Sequence, residues 1–280
     1  MDKYSVFPPK PDCLDQIFHV KKPIIGTLHL KPLPGSPLFE GVGLNSVIEA
    51  AMYDSQMYKE GGVDGIIVEN GGDLPFAKPE EIGYETVASM ARITDMVRKE
   101  FGLPVGVNLL ANAVMPALAV ANASDALFVR SNQWVNAYVA NEGIIEGAAA
   151  RATRYRSMIH ANNIKIFADV HVKHGSHSIV ADRSLMDQTR DAIFFDADVL
   201  IATGNRTGDA TPLSEIQGIK EHTALPVIIG SGTNDQNVDE LFRVADGAIV
   251  GTFFKKDSLW WEPVDLDRVK RLMDEVVKFR

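Results

Sequence analysis

Residues 164–172 read Ile-Lys-Ile-Phe-Ala-Asp-Val-His-Val, a short apolar run that is rich in isoleucine and valine. Runs of this kind, bounded by glycine or polar residues, are typical of parallel strands that are buried on both faces. Similar runs occur at Ile24–His29, Gly65–Glu69, Val105–Leu109, Ala126–Arg130, Val199–Thr203, Val227–Gly230 and Ala248–Gly251. We therefore predict eight buried strands, of which Ile164–Val172 is the fifth.

Segments with the apolar spacing of helices separate these strands. They are Leu44–Glu60, Glu80–Phe101, Val114–Ala123, Gly143–Ala161, Ser184–Phe195, Ser214–Thr223, Asn237–Val244 and Asp265–Lys278. This alternation predicts an α/β fold, either a closed barrel or an open doubly wound sheet. The count of eight, with no glycine-rich dinucleotide turn after the first strand, favours the barrel. We predict a single (β/α)8 TIM barrel over residues 23–280, preceded by a short N-terminal extension, residues 1–22.

The composition indicates which kinds of partner and which cellular compartment to expect for this protein. The chain has 28 Lys and Arg against 37 Asp and Glu, a formal net charge of −9, whereas a nucleic-acid-binding surface needs clustered positive charge. The one cysteine, Cys13, cannot form a disulfide within the chain, which suits a reducing compartment. The sequence shows neither a signal-peptide pattern nor a run of about 20 apolar residues that could span a bilayer. We expect a cytoplasmic protein with no nucleic-acid partner and no transmembrane segment.

The end of the fifth strand carries the densest set of ionisable side chains. Side chains alternate along a strand, so Asp169, His171 and Lys173 share one face while Val170 and Val172 share the other. With the valines against the helices, the three ionisable groups are expected in the barrel mouth, where they could transfer protons at neutral pH. Lys173 could also form a Schiff base if burial lowers its pKa. The alternative is a structural ion-pair network.

Other polar residues lie at or just beyond strand ends, where TIM barrels hold their reacting groups. His29 and Glu69 end the first two strands and join Asp169, His171 and Lys173 as candidate catalytic residues. The candidate substrate-binding residues are Asn108, Arg130, Asn132, Thr203 and Arg206. Each could instead satisfy backbone groups of a loop.

A metal site at the mouth is the less favoured interpretation. His29, Glu69, Asp169 and His171 are ligand types that suit a divalent cation, but no paired spacing such as His-x-x-x-His links them. We assign no metal ligand, and no cofactor is firmly implied.

Glycine turns after the last two strands predict an anion site. Loops after strands seven and eight often bind phosphate in this fold, and a helix N-terminus would add a favourable dipole. The candidate phosphate-binding residues are Gly230, Ser231, Gly232, Gly251 and Thr252, with Lys255 and Lys256 just beyond. The ligand would be a small phosphorylated molecule, unless the glycines only make short turns.

Several motifs resemble the BtpA family, which includes the SgcQ-like proteins. They are Ile25–Pro37, Gly61–Asn70, Asp73–Phe76, Glu142–Gly147, Asp169–His174, Gly230–Gly232 and Gly247–Thr252, and the resemblance runs from residue 23 to the C-terminus. It implies kinship with ribulose-phosphate-binding barrels. Residues 108–113 and 131–137 differ from the pattern of those relatives.

Two functions follow as hypotheses. The first is an enzyme that acts on a phosphorylated sugar or ribosyl compound by acid–base chemistry, as an isomerase, a lyase or in glycosidic cleavage, with carbohydrate metabolism as its setting. The second is a non-catalytic assembly or stability factor, because the resemblance includes cyanobacterial members that are peripheral proteins associated with photosystem I. A sugar-binding module without catalysis is a third possibility. In the second case Trp260 and Trp261 would form a partner surface, unless they are core or an oligomer contact. By analogy with other barrels, we expect a homo-oligomer.

Overall fold

Eight parallel strands close into a barrel in the computed structural model, which describes residues 8, 10–41, 43–204, 206 and 208–280. The strands in chain order are β1 (Ile24–His29), β2 (Gly65–Glu69), β3 (Val105–Asn108), β4 (Phe128–Ser131), β5 (Ala137–Ala140), β6 (Gly143–Glu146), β7 (Lys165–Asp169), β8 (Val199–Ala202), β9 (Val227–Ile229) and β10 (Ala248–Val250). Around the barrel the order is β1-β10-β9-β8-β7-β4-β3-β2, while β5 and β6 form a separate antiparallel hairpin. The predicted single TIM barrel is confirmed.

Helices cover the outside of the barrel. They are α1 (Cys13–Phe18), α2 (Asn45–Gly61), α3 (Tyr84–Phe101), α4 (Val114–Ser124), α5 (Ala149–Met158), α6 (Leu185–Phe194), α7 (Leu213–Lys220), α8 (Val238–Leu241) and α9 (Leu266–Val276). Outward-facing strand residues such as Ile66 and Leu200 pack with the apolar faces of these helices in one continuous core. In the part of the chain that the structure describes, no helix has the length and apolarity needed to cross a membrane.

The short helix α1 closes the amino-terminal end of the barrel. Phe18 packs edge-on against Phe128 inside the barrel, with ring centroids 5.9 Å apart, and Phe128 stacks on Phe167 at 4.4 Å. Cys13 is buried in the same cluster, and burial raises the pKa of its thiol to about 12, so the thiol stays protonated. The amino-terminal end is therefore filled with apolar side chains, and only the opposite end of the barrel is left for a polar cavity.

The fifth barrel strand, β7, is shorter than predicted. It ends at Asp169, which pairs with Ile201 of β8, whereas the sequence placed its end at Val172. Beyond that point the side chain of Thr203 takes the place of the backbone hydrogen bonds between the two strands. Its hydroxyl donates to His171 O at 3.0 Å and accepts from the Lys173 N–H at 3.1 Å. The strict alternation predicted for Asp169, His171 and Lys173 therefore does not hold.

The hairpin of β5 and β6 replaces the first part of a predicted helix, Gly143–Ala161. Val139 pairs with Ile144 and Tyr138 with Ile145, and α5 begins only at Ala149. Tyr138 and Ile145 pack against Val172, so the hairpin lies over the loop that follows β7. Helical spacing in residues 143–148 was misleading because this nonlocal packing decides the structure.

Candidate active site at the carboxyl ends of the barrel strands

A cavity of about 470 Å³ opens at the carboxyl end of the barrel. This is within the usual range for small-molecule sites, about 300–1,000 Å³. Its walls come from the ends of β1, β2, β3, β4, β9 and β10, from the loop after β7 and from the hairpin. The cavity is therefore where this fold places its chemistry.

A buried ion pair forms the floor of the cavity. Arg130 at the end of β4 donates from Nε and Nη2 to the two carboxylate oxygens of Asp169, each at 3.0 Å. Asn132 Nδ2 adds a third hydrogen bond to this carboxylate at 3.3 Å. Burial lowers the pKa of Arg130, but the charge and hydrogen bonds of Asp169 outweigh it, and the net direction is upward. Asp169 is therefore fully engaged and serves to hold Arg130, which lines the cavity.

Glu69 is the more available carboxylate. Asn108 Nδ2 donates to its Oε2 at 2.6 Å, and His29 Nε2 lies 3.7 Å from its Oε1. Burial, with help from the positive charges of Lys255 and Lys173, lowers the pKa of His29 well below its ordinary value of 6.5. His29 is therefore a neutral imidazole beside a carboxylate, an arrangement suited to accepting or relaying a proton.

Lys173 extends from the loop after β7 into the cavity. Its Nζ donates to Gly230 O at 3.5 Å, a weak contact. Burial and then the charge of Arg130 lower its pKa to about 8, although Asp169 and Glu69 act in the opposite direction. At pH 7 about a tenth of this amine is therefore unprotonated, far more than for an ordinary lysine.

The loops after β9 and β10 form the opposite wall. A Cβ at Gly232 would lie 2.1 Å from Asp209 O, and its φ of +72° favours glycine. A Cβ at Gly251 would lie 2.9 Å from the ring of His29. The hydroxyl of Ser231 is engaged within the loops, since it donates to Arg206 O and accepts from Gly208 N. The missing Cβ atoms therefore make room for the Asp209 loop and for the His29 ring, and both glycine turns present backbone to the cavity.

The predicted helix dipole does not contribute to this wall. The helix that follows β9, α8, begins only at Val238, and the segment after β10 has only short 3₁₀ turns, over Thr252–Phe254 and Lys256–Ser258. Lys255 also points elsewhere, because it is buried and its Nζ forms an ion pair with Asp54 Oδ2 at 2.5 Å. Any anion here would be held by loop backbone and hydroxyl groups.

Four residues that line the cavity have a buried polar atom without a hydrogen-bond partner within the described ranges. These atoms are His29 Nδ1, Asn108 Oδ1, Asn132 Oδ1 and Thr233 Oγ1. Leaving a buried polar group unsatisfied costs about 1–3 kcal/mol. Such groups at the wall of an open cavity are ready to bind a polar ligand or water.

The structure brings most of the predicted site residues to one cavity. Those that line it are His29, Glu69, Asn108, Arg130, Asn132, Lys173, Gly230, Ser231, Gly232, Gly251 and Thr252. Asp169 lies beneath Arg130, and Thr203 is occupied in holding the Lys173 loop. Arg206 does not line the cavity, and its neighbours 205 and 207 lie outside the described residues.

His171 is not in the barrel mouth, so that expectation is wrong. Its Nδ1 faces Gln188 Oε1 on helix α6 at 3.3 Å, and its ring stacks on His177 at 3.7 Å. The early end of β7 turns this side chain outward. A contact between His171 and a ligand in the cavity is therefore excluded in this conformation.

Several cavity residues were missed in the sequence. Thr233, Tyr138 and Glu142 line it, as does Trp260, whose ring lies edge-on to His29 at 5.6 Å. The turn residues Asn141 to Gly143 between two β-rich runs are a hairpin signal that could have revealed the hairpin. Trp260 was named from the sequence only as a partner surface, core residue or oligomer contact, and no local pattern predicts that the chain returns it to the cavity from beyond β10.

Metal ligation finds no support in the geometry. Among the described residues, no group of three or more His, Cys, Asp or Glu side chains is close enough to hold a metal ion. Of the four residues with suitable ligand types, only His29 and Glu69 come together, while Asp169 pairs with Arg130.

The fold and cavity define a class: this is a (β/α)8 barrel protein with a small-molecule cavity at the carboxyl ends of its strands. The chain belongs to the BtpA family, whose profile matches residues 20–278.

Relatives from distant organisms match nearly the whole chain. An uncharacterized protein of Thermococcus kodakarensis is 40% identical, over 93% of this chain and 97% of its own. The photosystem I biogenesis protein BtpA of Synechocystis is 34% identical, over 95% of this chain and 91% of its own. The domain is therefore shared in full with these relatives.

Solved structures share the fold at low identity. Thiamine phosphate pyrophosphorylase from Pyrococcus furiosus has a TM-score of 0.53 and 18% identity, over 92% of this chain and 96% of its own. N-(5′-phosphoribosyl)anthranilate isomerase from the same organism has a TM-score of 0.54 and 11% identity, over 92% and 99%. These likenesses concern the barrel alone.

Proposed function

We propose that this protein is an enzyme that acts on a phosphorylated sugar or ribosyl compound by acid–base chemistry in the barrel cavity. The observation that carries the proposal is the pairing, in one cavity, of a proton-transfer set with a wall of glycine backbone. Glu69, neutral His29 and Lys173 form the set, and the Gly232 and Gly251 turns form the wall. Enzymes named for phosphorylated substrates share this fold.

The phosphate would bind at the loops after β9 and β10. Gly232 and Gly251 present only backbone to the cavity, and the unpartnered Thr233 hydroxyl can donate to a phosphate oxygen. Of the predicted phosphate-binding residues, Ser231 would act through the shape of its turn, since its hydroxyl is already bonded.

The sugar would lie across the cavity between this wall and the strand ends opposite it. In the barrel order, β9 and β10 lie across from β3 and β4, which carry Asn108, Arg130 and Asn132. The free amide oxygens of Asn108 and Asn132 can accept hydrogen bonds from sugar hydroxyls. This arrangement would fix the reacting carbon near Glu69 and Lys173.

Glu69 is assigned as the proton acceptor and Lys173 as the group that stabilises a developing oxyanion. Asp169 is removed from the acid–base role because Arg130 and Asn132 occupy its oxygens. Isomerisation, C–C cleavage and glycosidic cleavage all use such a pair.

A paired-ligand screen tests the proposal. Thermal shift is measured with sugar phosphates and the matching free sugars, and turnover is then compared in wild type, Glu69→Gln and Glu146→Gln. Gln can still accept from Asn108, while Glu146 is an exposed hairpin residue outside the cavity. We expect stabilisation by phosphorylated compounds only, and loss of about 10²–10⁴-fold in turnover for Glu69→Gln alone. Lack of stabilisation by any phosphorylated compound, or unchanged turnover of Glu69→Gln, would overturn it.

A second candidate function is a non-catalytic assembly factor, which the name of the Synechocystis relative suggests. The observation in its favour is an exposed aromatic side chain that does not line the cavity. Trp261 is 62% exposed and follows the cavity residue Trp260. A pull-down from native lysate tests it. This function would be favoured over the enzyme if the wild type captures a stoichiometric protein partner, Trp261→Ala does not capture it, and no small molecule binds.

A further inference from the structure

Two lysines are withdrawn from bulk solvent near the carboxyl end of the barrel, and their surroundings differ. Lys255 is 1% exposed, with its ammonium paired to Asp54, and it does not line the cavity. Lys173 lines the cavity, and within the described residues no carboxylate oxygen lies within 4.0 Å of its Nζ. Lys255 has the environment of a structural cation, whereas Lys173 has that of an amine kept available.

The surroundings of Lys173 keep it available in two ways. Asp169, which ends β7 four residues before Lys173, is held by Arg130 through both oxygens. Thr203 Oγ1 accepts from the Lys173 N–H and donates to His171 O, which anchors the backbone that carries the Lys173 side chain. The weak contact of Nζ with Gly230 O leaves it free to meet a ligand.

We propose that Lys173 is a nucleophile that forms an imine with the aldehyde or ketone carbon of a phosphorylated substrate. This rests on the proposed function and names its substrate class, a phosphorylated carbonyl compound. It also changes the role of Lys173 from a charge that stabilises an oxyanion to a group that bonds to the substrate.

The step balances without any further reactant. The unprotonated Nζ adds to the carbonyl carbon, forming a C–N bond, and a proton passes from nitrogen to the carbonyl oxygen. Glu69 then takes the remaining proton from nitrogen and passes it to the new hydroxyl, which leaves as water while the C=N bond forms. Burial and Arg130 supply the unprotonated amine, since they lower the pKa of Lys173 to about 8.

Reductive trapping tests the inference. Wild type and Lys173→Met are incubated with D-glyceraldehyde 3-phosphate or with D-glyceraldehyde, treated with sodium borohydride, and mapped by mass spectrometry. We expect one stoichiometric adduct at Lys173 with the phosphorylated aldehyde, at least tenfold less with the free aldehyde, and none in Lys173→Met. The trapping rate should rise with pH, with a midpoint near 8 rather than 10.5.

Thermal shifts measured in parallel distinguish a failure of the imine proposal from a failure of the proposed function. If the phosphorylated aldehyde stabilises the wild type but borohydride traps nothing at position 173, the imine is overturned while the proposed function stands. If adducts spread over surface lysines equally in wild type and Lys173→Met, the imine is also overturned. If no phosphorylated compound stabilises the protein, the proposed function fails and the imine fails with it.

Discussion

Arg130 and Asp169 are joined by two parallel hydrogen bonds of 3.0 Å, one from each of two guanidinium nitrogens to each carboxylate oxygen. Both side chains are buried, at 5% and 0% exposure. This fork-to-fork geometry is the strong form of an ion pair. It is the reason that we assign Asp169 no acid–base role, and it fixes the positive charge of Arg130 near Lys173.

Breaking this pair should destabilise the fold. Asp169→Asn keeps the shape of the side chain but leaves the guanidinium of Arg130 buried without a counter-charge. Removing one partner of a buried pair costs about 3–5 kcal/mol, so we expect a loss of that size in the free energy of unfolding, measured by urea denaturation. The control is Asp95→Asn, which breaks an exposed pair with Lys99. Equal and small losses in both variants would contradict the buried pair.

The lowered pKa of Lys173 should appear in the pH dependence of stability. The folded protein releases this proton near pH 8, whereas the unfolded chain holds it up to about 10.5, so the unfolded state binds more protons between these values. The stability of wild type relative to Lys173→Met should therefore rise from pH 8 to 10.5, by at most about 3 kcal/mol. Urea denaturation of both proteins across this range measures it, and a difference that stays flat would refute the lowered pKa.

The Thr233 hydroxyl should matter for ligand binding but not for folding. A hydrogen bond to a charged group is worth about 1.5–3 kcal/mol, so Thr233→Val should weaken binding of a sugar phosphate by about 10- to 100-fold in calorimetric titration. Stability should stay the same or rise, because a buried unpartnered hydroxyl is removed. Thr94→Val is the matched control, since Thr94 Oγ1 is also buried and unpartnered but lies in α3 outside the cavity. Equal effects of the two variants on affinity would argue against the phosphate site.

The two adjacent tryptophans should differ in their response to a ligand. Trp260 packs edge-on to His29 in the cavity, whereas Trp261 is exposed. Trp260→Leu should reduce affinity for a sugar phosphate, by up to about 10-fold given the 0.5–1.5 kcal/mol of an aromatic contact, and should abolish any ligand-induced change in fluorescence. Trp261→Leu should do neither. A ligand response that follows Trp261 would move the binding site out of the barrel mouth.

Much of the architecture could be predicted from local sequence. Buried strands of valine and isoleucine, with polar residues where they end, identified the barrel and brought Glu69, Asn108 and Arg130 to one mouth. This worked because strand direction in a closed parallel barrel fixes which end each residue occupies. The paired glycine turns were likewise local signals.

The errors arose where nonlocal contacts decide the structure. The position of His171 was wrong because Thr203, thirty-two residues away in sequence, ends the ladder of β7 with its side chain. The hairpin was missed because the helical spacing of residues 143–148 was followed instead of the turn signal at residues 141–143, and the packing of Tyr138 and Ile145 against Val172 on another loop is nonlocal. No local sequence pattern reports such contacts, and none could have shown that Arg130 would donate hydrogen bonds to both carboxylate oxygens of Asp169.

A crystal structure of the protein soaked with ribose 5-phosphate tests the central claim most directly. The account predicts the phosphate against the turns at Gly232, Thr233 and Gly251, with C1 of the sugar beside Lys173 Nζ. Ribose 5-phosphate seated outside the barrel mouth, or a cavity holding only water at a saturating concentration, would contradict it.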